Sequence, residues 1–253
     1  MSKKFTPDRD ILEKITRSIP TPFHLYSESV IIQRAKRLKE AFAWNEGYRE
    51  YYAVKACPTP GVISPMQKLG CGVDCASLCE LMLAEAMGFQ GDEIMFSSNE
   101  TPAGEFSYAR KLGAIINVDD ITLIDFLNDE CGMPEQLCLR YNPGGEFKVG
   151  NRIMGNPGEA KYGMTRAQIF EAVEKCMLLG VRRFGLHSFL ASNSIDASYY
   201  PGLAATLMAL AVDLNKALGC DIFMLNLSGG IGIPYRPEQE EVNIFEVGRN
   251  VQS

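Results

Sequence analysis

The chain has 253 residues, 46% of them hydrophobic and 22% charged, with a net charge of −6 and a pI near 5.1. That length fits one large α/β domain or two small ones, and the acidic balance gives no electrostatic footprint for nucleic acid. No apolar run approaches the roughly 20 residues that span a bilayer, and Met1-Ser2-Lys3-Lys4-Phe5 lacks the apolar core of a signal peptide, so a cytoplasmic protein with no membrane or nucleic-acid partner is expected.

Residues 7–18 read as a short helix with Pro7 and Asp8 in its first turn. Pro20 and Pro22 end it, and Phe23-His24-Leu25-Tyr26 reads as a strand that closes an N-terminal segment, residues 1–26. Ser27 then caps an amphipathic helix to about residue 42, with Val30, Ile31, Ala35, Leu38 and Phe42 on one side. From there a short apolar strand, a polar or glycine-containing loop and a helix recur. Strands are predicted over 49–54, 72–75, 93–96, 114–118, 136–140, 182–187 and 222–227. Helices are predicted near 60–69, 77–88, 102–111, 120–130, 165–179 and 202–218. Alternation of this kind implies a parallel sheet with helices outside it, one strand short of a closed eight-stranded barrel. The long loop from Tyr141 to Met164 at a strand end is a candidate for function. After Pro234-Tyr235-Arg236-Pro237 only an acidic stretch and the start of one more helix remain, so the barrel looks cut short.

The eight cysteines are 57, 71, 75, 79, 131, 138, 176 and 220. Cys71, Cys75 and Cys79 recur every four residues, which is not the two-residue gap of zinc knuckles, and the chain has only His24 and His187. Packed or lightly exposed thiols are expected, and no metal.

Chemistry concentrates at two places. Tyr51-Tyr52-Ala53-Val54-Lys55-Ala56 runs a strand straight into a lysine, which puts an amine at the mouth of a sheet or barrel. Held there with partial desolvation, such an amine can attack an aldehyde to form a Schiff base; alone it could equally be a surface lysine. Leu227-Ser228-Gly229-Gly230-Ile231-Gly232-Ile233-Pro234-Tyr235 follows an apolar strand, and its glycines could turn backbone N–H groups towards an anion or simply make a tight turn. The third glycine of a dinucleotide fingerprint is missing. Together the two suggest a phosphorylated aldehyde cofactor, with phosphate on the glycines and aldehyde on the lysine.

Six stretches occur in an order and spacing that match a known family. They are Tyr52-Ala53-Val54-Lys55-Ala56, Gly72-Val73-Asp74-Cys75-Ala76-Ser77 with Glu80, Arg140-Tyr141-Asn142-Pro143, Ala160-Lys161-Tyr162-Gly163, Gly185-Leu186-His187 and the glycine loop. The chain resembles the alanine-racemase-fold (fold-type III) pyridoxal-phosphate decarboxylases over roughly residues 20–237, and is most similar to the diaminopimelate decarboxylases.

That resemblance implies an α/β protein with a (β/α)8 TIM-type barrel that binds pyridoxal 5'-phosphate over residues 27–253. The last strand and a following β domain would be absent, making this an N-terminal fragment that is poorly active alone. It implies a homodimer acting on an amino acid, with loss of CO2 from meso-diaminopimelate to give L-lysine. Lys55 would carry the cofactor and later move a proton, and Gly229, Gly230 and Gly232 would bind its phosphate through backbone N–H groups. Asp74 and Arg140 would sit near the cofactor and could hold one another, Lys161 would lie towards the dimer interface, and His187 would end its strand near the site.

Two departures stand out. The family's ring-stacking histidine is replaced by Phe189 in Phe189-Leu190-Ala191-Ser192-Asn193, read here as a branch signature; Phe189 can still stack on the pyridine ring, and Ser192 could reach the phosphate. Glu246-Val247-Gly248-Arg249 looks like the family's Glu-Pro-Gly-Arg motif, but it comes too soon after Gly232, in a helix-like context. Ornithine, arginine or carboxynorspermidine decarboxylases share the barrel motifs. A lone-barrel pyridoxal-phosphate carrier or a non-catalytic homologue is disfavoured by Lys55 with the glycine loop, and alanine racemase by the neighbouring motifs.

Overall fold

In the computed structural model the described residues are 6–146 and 161–253; most of the loop from Tyr141 to Met164 lies outside them. Two helices come first, α1 (Arg9–Thr16) and α2 (Glu28–Ala41). Strands and helices then alternate: β1 (Tyr51–Ala53), α3 (Pro60–Lys68), β2 (Gly72–Cys75), α4 (Leu78–Ala86), β3 (Ile94–Ser97), α5 (Ala103–Leu112) and β4 (Ile115–Val118). The second half carries α6 (Leu123–Cys131), β5 (Gln136–Arg140), α7 (Arg166–Leu178), β6 (Arg183–His187), α8 (Tyr199–Leu218), β7 (Asp221–Asn226) and α9 (Ile244–Gln252).

The seven strands form one sheet in the order of the sequence, each parallel to the next. The sheet curls on itself. Side chains of β1, β3, β4, β5 and β7 meet on its inner face, where Met95, Ile115 and Cys138 are packed by Tyr51, Phe223 and Met224. On the outer face the alternate residues, such as Ile94, Phe96, Ile116, Val118, Leu137 and Leu139, join the helices in the main core. Strands covered on both faces read as short apolar runs, which is why the predicted and observed strands nearly coincide. Among the described residues β1 and β7 do not pair, so the barrel is unclosed.

Two local expectations change. Phe23–Tyr26 is no strand: among the described residues it has no ladder partner, and the stacked rings of His24 and Tyr26 and the contact of Tyr26 Oη with Cys57 Sγ at 3.5 Å hold it instead. The last long helix begins at Tyr199, not near 202, because Pro201 falls in its first turn, where a missing N–H costs nothing. Buried Tyr199 also accepts a hydrogen bond from the Leu190 N–H at 3.1 Å, tying the start of α8 to the loop after β6.

The acidic stretch and α9 turn back onto α2. Glu241 pairs with Arg34 and lies 3.8 Å from Arg37, and Trp44 donates to the Gly248 carbonyl at 3.1 Å. A Cβ on Gly248 would collide with the Ala41 carbonyl oxygen, so the glycine of Glu246-Val247-Gly248-Arg249 serves close helix packing. Cys71 and Cys75 are buried, whereas Cys79 is exposed on α4.

Candidate active site

Side chains two apart on a strand share a face, so the inner apolar cluster fixes what stands one layer above it. Two residues beyond Met95, Ile115, Cys138 and Met224 come Ser97, Asn117, Arg140 and Asn226. The same step carries Gly185, where an added Cβ would lie 3.1 Å from Cys138 Sγ, to His187. The C-terminal rim of the sheet is therefore polar and its lower interior apolar, within one set of strands.

The rim residues hold one another. Arg140 Nη1 lies 2.6 Å from Asp119 Oδ1, with both side chains buried, and the guanidinium also stands 5.1 Å from the centre of the Tyr162 ring. The Gly163 N–H donates to the second Asp119 oxygen at 3.4 Å. Asn117 Nδ2 is 2.7 Å from His187 Nδ1 and 3.5 Å from Ser97 Oγ, and His187 Nε2 is 2.5 Å from Ser228 Oγ. Burial, with the charges of Arg140 and Lys55 adding to it, pushes the His187 pKa down to about 3, so the imidazole is neutral.

Asp74, on β2, faces the same interior. Burial raises its carboxyl to about 7, against the opposing pull of Ser97, Lys55 and Arg140, and its Oδ1 has no hydrogen-bond partner among the described residues. Lys55 sits in a single 3-10 turn (Val54–Ala56) just past β1 and is exposed. The desolvation expected of it is therefore not supplied by the described residues, although its charge bears on both Asp74 and His187.

The loops after β6 and β7 pair with each other. Ser194 N–H donates to the Gly230 carbonyl at 2.8 Å, and Gly232 N–H donates to the Ser194 carbonyl at 2.6 Å. Gly230 has φ +104°, and a Cβ there would collide with the Ala191 carbonyl oxygen and crowd Ser192. A Cβ on Gly232 would lie 2.9 Å from the Asn193 and Ser194 backbones. Ser192 thus borders the glycine loop, while half-buried Phe189 precedes it in the same segment.

Two expectations stand beside a more specific geometry. Among the described residues Arg140 pairs with Asp119, not with Asp74, because Asp119 ends the adjacent strand β4 and reaches across to it. The Gly232 N–H is already used by Ser194, so that glycine makes room for the loop pairing, while the N–H groups of Gly229 and Gly230 make no hydrogen bond among the described residues. Lys161 is exposed, with its amine 5.4 Å from the centre of the Tyr162 ring.

Sequence reasoning missed Asp119, Asn117 and Ser228. A signal existed: in Ile115-Ile116-Asn117-Val118-Asp119 the polar residues alternate within an apolar strand.

The residues present fit a phosphorylated aldehyde. A lysine amine, a half-buried carboxyl group and a glycine loop stand at one end of the sheet, the buried Asp74 Oδ1 and two of the loop's N–H groups having no hydrogen-bond partner among the described residues.

Comparisons with known proteins agree with this fit. Residues 28–253 match the family model described as pyridoxal-dependent decarboxylase, pyridoxal binding domain. Protein TabA of Pseudomonas amygdali pv. tabaci is 32% identical over 92% of this chain and 54% of its own length. Diaminopimelate decarboxylase of Methanothermobacter thermautotrophicus is 29% identical over 91% of this chain and 54% of its own length. The solved diaminopimelate decarboxylase of M. jannaschii in co-complex with L-lysine superposes with a TM-score of 0.85 at 25% identity, over 94% of this chain and 58% of that one. The chain spans about half the length of the curated relatives it matches.

Proposed function

The chain belongs to the pyridoxal-dependent decarboxylases, and we propose that it supplies the cofactor half of an enzyme that removes the α-carboxylate of a diamino acid, meso-diaminopimelate giving L-lysine and CO2. The observation that carries this reading is the placement of Lys55 and the glycine loop at the same end of one curled sheet, with half-buried Asp74 and buried Arg140, Asp119 and His187 between them. The choice of substrate is supported by curated relatives named diaminopimelate decarboxylase. A homodimer, with Lys161 facing the partner, is part of the same proposal.

Pyridoxal phosphate, when bound, supplies the aldehyde and the electron sink that decarboxylation needs. The chain's own residues would hold it and orient the bond to be broken. Lys55 Nζ would take the aldehyde carbon and later carry a proton at that nitrogen. Gly229 and Gly230 would offer N–H donors to the phosphate, with Ser192 beside them. Phe189 would lie against the ring face, and Arg140, fixed by Asp119, would keep positive charge near it.

The test is absorbance and borohydride trapping with added pyridoxal phosphate, followed by CO2 release from candidate amino acids. A trapped adduct on Lys55 in this chain, absent in Lys55→Ala, and CO2 from diaminopimelate in preference to ornithine, arginine and lysine in the complete enzyme of which it is the cofactor half, is the expected result. Release from another of these at a higher kcat/KM would replace the substrate but keep the reaction. A folded protein with no adduct would remove the cofactor reading.

A further inference from the structure

The described residues include only two non-glycine residues at positive φ, Asn193 at +54° and Ser228 at +60°. Both lie in the paired loops that hold the glycine segment, and each is held by hydrogen bonds. Asn193 Oδ1 accepts from the Ile233 N–H at 3.3 Å, while Ser228 receives His187 on its hydroxyl and gives its own N–H to Asn226 Oδ1 at 2.8 Å. Serine does not choose a left-handed conformation unaided, so its surroundings impose it.

The Asn117 amide nitrogen can only donate, so His187 Nδ1 accepts and the imidazole proton sits on Nε2. Nε2–H then donates to Ser228 Oγ, which leaves the serine's own hydrogen unspent: the described residues give it no acceptor. Ser97, Asn117, His187 and Ser228 thus form a chain of side chains from β3 through β4 and β6 to the first residue of the glycine loop.

We propose that His187 is a positioning residue for the phosphate: as the Nε2–H tautomer it locks Ser228 in its left-handed turn, which aims the Gly229 and Gly230 N–H groups at the anion and adds the Ser228 hydroxyl as a third donor. This assignment rests on the reading of the glycine loop as the phosphate site. It gives His187 a task away from the reacting carbon and gives Ser228 a reason to occupy a glycine-like position.

The experiment compares dissociation constants for pyridoxal phosphate and for pyridoxal, which lacks the phosphate, in the purified protein and in Ser228→Ala, Ser228→Gly, His187→Leu and His187→Gln. Losing a hydrogen bond to a charged group predicts weakening for pyridoxal phosphate of about tenfold or more in Ser228→Ala and His187→Leu. Pyridoxal binding should change less than about twofold in the same variants, since no phosphate is involved. Ser228→Gly, which can adopt the turn without strain, should fall between Ser228→Ala and the parent. His187→Gln should stay near the parent, because its amide can still donate to Ser228. Nitrogen-15 spectra of the histidines should show the proton on Nε2 of His187. A parent protein with no preference for pyridoxal phosphate over pyridoxal sinks the phosphate-site reading and this inference with it. A preference that survives in the Ser228 and His187 variants, equal weakening of both ligands, or a proton on Nδ1 overturns the inference alone.

Discussion

The two ends of the same seven strands are built on different principles. In the lower interior Met95, Ile115 and Cys138 pack with Tyr51, Phe223 and Met224, and stability there comes from apolar burial. Further along the same strands the interior holds Asn117, Arg140, His187 and Asp119, each meeting a polar partner. The lower layer can tolerate a change of shape at a graded cost. The upper layer consists of groups whose burial is acceptable only in company, so removing one partner should cost more than replacing both.

The sharpest way to break this contrast is Asp119→Ala, which leaves the Arg140 guanidinium buried without its counter-charge. A loss of about 3–5 kcal/mol is expected in urea unfolding, because the penalty for an uncompensated buried charge exceeds the value of the pair itself. Replacing both partners, as Asp119→Leu with Arg140→Met, should recover most of that stability without recovering affinity for pyridoxal phosphate. If the double variant remained as unstable as the single one, the upper layer would be behaving like the lower one. In the lower layer Ile115→Ala should cost about 2–5 kcal/mol by leaving a cavity, with cofactor affinity within about twofold of the parent if the two layers are energetically separate.

A smaller effect comes from pH. The Asp74 carboxyl is raised by burial to about 7, so the folded protein binds its proton more tightly than the unfolded chain does. Its contribution to stability is present at acid pH and is lost as pH rises through 7. Glu50, raised by burial to about 7 against the lowering hydrogen bond of Tyr48, acts in the same direction at the other end of β1. His187, pushed down to about 3, acts oppositely and only below its ordinary value of 6.5. Between about pH 5 and 7 stability should therefore fall with pH, the two carboxyls outweighing His187 and each contributing at most about 1.4 kcal/mol per pH unit, and the slope should level off above pH 7. Asp74→Asn should remove one of the two contributions, and urea midpoints across that range would reveal an unchanged slope if Asp74 were not the titrating group.

The sequence was most legible where one residue's surroundings are dictated by chain-local pattern. Strands covered on both sides betray themselves as short apolar runs, and Lys55 and the glycine loop were visible because their residue types are unusual at strand ends. The Phe23–Tyr26 stretch shows the limit: it has strand composition, and no neighbouring edge to pair with. Gly232 shows another. Its identity pointed to the loop, but its N–H is taken by Ser194, which lies 38 residues earlier in a segment that carries no sign of the pairing.

The amino-acid sequence by itself determined the alternation of strands and helices, the parallel sheet and the two reactive stretches, because hydrophobic period and backbone-special residues act locally. The tertiary structure decided who meets whom: Asp119 and not Asp74 for Arg140, Asn117 and Ser228 for His187, and α2 for Gly248. Those partnerships depend on the curl of the sheet and the stagger between neighbouring strands. His187 at the end of β6 is brought to Ser228 in a loop 41 residues away by geometry that no local pattern encodes.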